Sequence, residues 1–147
     1  MAESSGRFAL PYLQPGQAQK ELFHNEALTA IDALLHPVAQ TIGDNAPPAT
    51  PAIGQCWIIG GAPTGAWSGR PQEIAYWSEG GWRFITPTPK MLVWLAADGV
   101  WAREDAGSWM VGAAIPNASG GATVDGEARA AINALLAAVR LHGVIAT

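Results

Sequence analysis

The sequence predicts an α+β fold: an N-terminal helix, a small antiparallel Trp-rich β-meander or barrel, and a C-terminal Ala-rich helix. Three observations carry that expectation. Apolar residues step by three and four near both ends of the chain. Short aromatic and β-branched runs separated by Gly turns fill the middle. All seven tryptophans fall in that middle, between Trp57 and Trp109, against three Phe and two Tyr in the whole chain.

Residues 1–43 read as a helical anchoring or oligomerisation segment. Pro15 suits a first helical turn, where its missing N–H costs nothing. Leu28, Ile31, Leu35, Val38 and Ile42 then step alternately by three and four, the spacing of a coiled-coil seam. Pro37 sits inside the seam and should kink or end the helix near His36. The spacing fits an ordinary amphipathic helix against the β-domain as well as a self-associating one. Residues 44–54 are Pro-rich, with Pro47, Pro48 and Pro51, and read as a stiff extended linker.

Residues 55–115 read as the Trp-rich β-domain. Strands are expected near 55–59, 73–77, 82–86, 91–96, 100–103 and 109–113, with hairpin turns at 78–81 and 97–99. Residues 116–147 give a flexible connector and the last helix. Asp125 suits the N-cap, and Glu127 favours the first turn of the helix dipole. Ile132, Leu135, Leu136 and Val139 form an apolar stripe, alanines keep the helix slim, and Gly143 fits a left-handed stop with Val144 folding back on Val139.

Composition narrows the partners. Of the 147 residues, 49% are hydrophobic and 14% charged, so burial against identical copies is the simplest route to solubility. A net charge of −4 offers no basic stripe for nucleic acid and no attraction to an anionic membrane. No run approaches the roughly twenty apolar residues of a membrane-spanning helix. Met1 to Arg7 is polar with no apolar core of a secretory signal behind it, so synthesis in a cytoplasm is expected. Cys56 is alone, which leaves no internal disulfide, and it reads as a small buried hydrophobe.

Signals for chemistry are sparse. His24, His36 and His142 stand far apart, with no metal-ligand spacing, so neither a metal nor another cofactor is expected. Glu73, Glu79, Asp98, Glu104 and Asp105 lie near the tryptophans and could supply the acid pair of a glycosidase. Several sit at predicted turns, where a solvated charge is the ordinary explanation, so a non-enzymatic protein is expected. An indole buries a large apolar face while keeping one N–H to donate, which suits surfaces that grip sugars or proteins. The ordinary fate of any single tryptophan is burial. Seven are nonetheless many for one small core, so Trp67, Trp77, Trp82, Trp101 and Trp109 are the candidate glycan- or partner-binding residues. The candidate oligomerisation residues are Leu28, Ile31, Leu35, Val38, Ile42, Ile132, Leu135 and Val139.

One stretch is more particular than generic helix: Leu10-Pro-Tyr-Leu-Gln-Pro-Gly-Gln-Ala-Gln-Lys-Glu21, followed by His24-Asn-Glu-Ala-Leu28. It resembles the opening of an uncharacterised domain family of alphaproteobacterial phages, prophages and gene transfer agents. The resemblance continues through the Pro-rich segment, Gly65-Ala-Trp-Ser-Gly69, the Ile74 to Phe84 hairpin, Thr86-Pro87 and the helix from Arg129 to Gly143. It implies a homo-oligomeric head-spike or tail-fibre protein on the virion surface, joined to capsid, tail or fibre proteins and contacting host capsular polysaccharide. Trimers are usual for fibres, and a pentamer would suit a vertex-mounted base. The same resemblance also fits a spike-base adaptor with no glycan affinity of its own.

Overall fold

Helix α1, Lys20–Leu35, opens the computed structural model, which describes residues 20–121 and 125–147. The Leu10–Gln19 part of the N-terminal motif, with Pro15, lies outside the described residues. Helix α1 stops where Pro37 dictates. Pro37 has no N–H to give a helix, and its carbonyl instead accepts a hydrogen bond from the Trp94 amide at 2.9 Å. Residues Val38–Asp44 therefore form strand β1, not the end of a helix. The seam expected to run through Val38 and Ile42 accordingly ends at Leu35.

The remaining strands fall within about two residues of the expected spans: β2 Cys56–Ile59, β3 Ile74–Ser78, β4 Gly81–Ile85, β5 Leu92–Leu95, β6 Val100–Asp105 and β7 Ser108–Val111. They make one seven-stranded sheet in the order β4-β3-β2-β1-β5-β6-β7. Two antiparallel meanders, β2-β3-β4 and β5-β6-β7, flank β1, which pairs in parallel with both β2 and β5. The α+β class stands, while the sheet is mixed rather than purely antiparallel. A parallel β1–β2 pair needs a crossover, and residues 45–55 supply it. This Pro-rich segment is thus no spacer. Asn45 ties it down, accepting from the amides of Ala62 through Oδ1 at 2.9 Å and of Thr64 through its carbonyl at 2.7 Å.

Alternation along the strands gives the sheet two apolar faces. Cys56, Ile58, Ile74, Tyr76, Val93, Leu95, Val100 and Ala102 share one face with Ala33 and Leu34 of α1 and form the main core. Trp57, Ile59, Trp67 and Ala75 build a second core on the other face, edged by Trp77, Trp82 and Phe84. Both expected hairpins are present, with Ser78 opposite Gly81 and Leu95 opposite Val100.

Helix α2, Gly126–Leu141, carries the expected caps. Asp125 accepts from the Ala128 amide at 2.9 Å. At the other end the Val144 amide donates to Val139 and the Gly143 amide to Arg140, both at 2.9 Å, with Gly143 at φ +66. Glycine is required there for a second reason, since a Cβ would lie 2.4 Å from the Trp94 ring. Side chains of α2 also hold the connector: Asn133 accepts from the Ala118 amide and Arg140 donates to Asn117. No helix among the described residues is long and apolar enough to cross a membrane.

Candidate functional site

The tryptophans divide into three groups. Trp57, Trp67, Trp77 and Trp82 interlock on β2–β4, with Trp82 lying 5.4 Å from both Trp57 and Trp67 and 4.9 Å from Trp77, all edge-on. A 3-10 turn at Gly65–Trp67 drops Trp67 into this cluster, where it is 0% exposed. Trp67 therefore cannot stack on a sugar, contrary to expectation: a two-faced sheet has room for a second core, and the ring fills it. Trp77 and Trp82 are half-buried at the edge of the cluster.

Trp101 pairs with Trp94 across β5–β6 at 5.1 Å. It is half-buried and lines a shallow apolar shelf of about 450 Å³ with Leu92, Arg103, Met110 and Val144. Trp109 packs on the main core, and its Nε1 donates to the Gln72 carbonyl at 2.9 Å. Its polar edge is spent inside the chain, which fits a structural residue better than a sugar platform. The five candidate indoles thus form no single face.

The oligomerisation candidates separate more sharply. Leu28, Ile31 and Leu35 are 50%, 40% and 81% exposed, although they lie on a helix that packs against the core. Ala33, five residues from Leu28 and so about 140° around the axis, is the α1 residue buried in the core. Helix α1 therefore has two apolar sides, and the main core leaves the seam exposed, with Leu28 also bordering the β3–β4 hairpin. On α2, Ile132 and Leu135 are also exposed, Val139 is half-buried, and Leu136 is buried. Val38 and Ile42 belong to β1, and Ile42 packs on the main core.

Sequence reading missed a polar cleft between α1 and the β3–β4 hairpin, about 450 Å³ in volume and lined by Asn25, Leu28, Asp32, Ile53, Tyr76 and Glu79 among others. Two long-range links build it. Tyr76 Oη donates to Asp32 Oδ2 at 2.6 Å, and Arg83 donates to both oxygens of Glu26, Nε to Oε2 at 2.9 Å and Nη2 to Oε1 at 2.8 Å. The guanidinium is held above its already high value by that contact.

The bond to Asp32 is the main reason the Tyr76 phenol is pushed up to about 12 from 10.0, with burial and the Asp32 charge adding to it. The raised value sets a sign. The protonated phenol stabilises the fold fully below about pH 10, and that contribution disappears as pH rises through about 12. A tyrosinate absorbance titration should show Tyr76 ionising well after an ordinary phenol. Tyr76→Phe should flatten the alkaline loss of stability; an unchanged alkaline limb in that variant would remove the link. Cys56, buried beside this region, is likewise pushed up to about 12, chiefly by desolvation and then by Asp32, which makes it an inert thiol at neutral pH.

The acids near the tryptophans serve turns and ion pairs. Glu104, 5% exposed, accepts from the amides of Lys90 at 3.0 Å and Gly107 at 2.7 Å, one on each oxygen. Asp105 pairs with Lys90 and Arg103, and the Lys90 ammonium lowers its pKa below the usual carboxylate value. Glu73 pairs with Arg70 at 3.4 Å. No group of three or more His, Cys, Asp or Glu placed to hold a metal ion occurs among the described residues.

A family model described as "Protein of unknown function (DUF2793)" covers residues 24–110, more than half of the chain. No curated protein matches it.

Proposed function

From the premise that the chain belongs to the DUF2793 family, whose function is unknown, we propose that it is a structural and adhesive component of a phage-like particle. In this reading it is a homo-oligomer, a trimer or a vertex-mounted pentamer, set in a head spike or tail fibre. It attaches the particle to host capsular polysaccharide and is held there by capsid, tail or fibre proteins. The observation that carries the proposal is the outward seam of Leu28, Ile31 and Leu35, an apolar stripe that the chain's own core leaves uncovered. The N-terminal motif supports the virion setting by resemblance.

A second reading, a spike-base adaptor without glycan affinity, is favoured by one specific observation. Every tryptophan is buried or half-buried, and Trp57, Trp67, Trp77, Trp82 and Trp109 belong to or pack against the two cores. Particles lacking the protein separate the two. The adhesive reading expects intact particles whose adsorption falls to the level seen on capsule-deficient cells. Loss of a second fibre protein from those particles, with no binding of the purified chain to capsule, would instead establish the adaptor.

A further inference from the structure

The geometry points to the cleft between α1 and the β3–β4 hairpin, rather than to any indole, as a binding site for a neutral or amino-bearing saccharide unit. This inference rests on the adhesive reading above and gives it a location and a chemistry. Among the charged groups lining the cleft, Glu26, Asp32 and Glu79 are acidic and Arg83 is basic. Arg83 is already engaged by both oxygens of Glu26, so a phosphate or uronate would meet acidic neighbours and no free cation. What remains available is acceptor-rich: the Asp32 oxygen not used by Tyr76, the Glu79 carboxylate and the Asn25 amide. Adjacent sugar hydroxyls, or a sugar ammonium, are the donors that such a set recruits. Ile53, 63% exposed, also lines the cleft and offers apolar surface to the C–H face of a pyranose ring.

The cleft also has a fixed shape. The Tyr76–Asp32 and Arg83–Glu26 links fasten helix to hairpin at two points, which lowers the ordering that binding must impose. Leu28 belongs to the seam as well, so in an assembly the site lies beside the contact between copies.

Titration of the full chain with a neutral glucan oligomer, a chitosan oligomer and a polyuronate tests the assignment. Saturable binding is expected to the first or second and not to the third. The pair Asp32→Asn with Glu79→Gln should weaken it about tenfold or more, since each change removes a charged acceptor while keeping the side-chain shape. Asn25→Trp, on an exposed helix position, should block the cleft without touching the core. Equal or tighter binding of the polyuronate, or unchanged sugar binding in both variants, would overturn the cleft and leave the adhesive reading standing. Absence of binding by the wild-type chain to any glycan, its host's capsule included, would remove both.

Discussion

Replacing Trp67 by alanine should lower stability by roughly 3–5 kcal/mol, a large share of what holds a domain of this size together. The ring is 0% exposed and touches two other indoles, with centroids 6.3 Å from Trp57 and 5.4 Å from Trp82. Its removal leaves a cavity that the surrounding large rings cannot collapse into, and it releases the 3-10 turn that Trp67 anchors. Trp67→Phe should cost much less. It keeps an aromatic face and discards an Nε1–H that has no acceptor among the described residues. Trp101→Ala, on the half-buried shelf, should also cost less than Trp67→Ala, because its ring keeps part of its surface in water in the native state. Denaturant unfolding followed by circular dichroism measures all three. A Trp67→Ala midpoint equal to that of wild type would mean that the second face of the sheet is not a core.

The six outer strands were legible because each pairs a β-branched or aromatic run with a Gly turn, and local signals suffice for hairpins. Strand β1 was not. Val38 and Ile42 are four residues apart, a spacing that puts them on one face of a helix and, because four is even, on one face of an ideal strand. Only Pro37 favoured the second reading, and the parallel partners of β1 are distant in sequence. The expectation for Trp67 failed for a related reason. Counting rings against one core is sound only if the sheet has one buried face, and this sheet has two. The cleft left no sequence signal, since Tyr76 and Asp32 are 44 positions apart and Arg83 and Glu26 are 57 apart. Composition cannot show that such pairs meet. Caps, by contrast, are local, and Asp125 and Gly143 behave as their types dictate.

The double substitution Leu28→Glu with Leu35→Glu should reduce the protein to monomers without unfolding it. Leu28 and Leu35 are one heptad apart, so they return to within about 20° of each other on the outward side of α1. Burying one leucine at a subunit contact contributes about 1.5–3 kcal/mol, and every copy in the assembly supplies two. A carboxylate at the same place must be dehydrated and meets its own counterpart from the next helix, so the seam is lost and not merely weakened. The chain's own core is spared, because Ala33 and Leu34, not Leu28 or Leu35, pack against the sheet. Light scattering should therefore report a monomer mass for the variant and a multiple of it for wild type, with unchanged far-ultraviolet circular dichroism. Ala33→Glu supplies the contrast: 4% exposed and against the main core, it should unfold the chain. A monomeric wild type at micromolar concentration, or a double variant that keeps its mass, would show that this stripe joins no copies. The spike reading would then lose the feature that makes an isolated chain look unfinished.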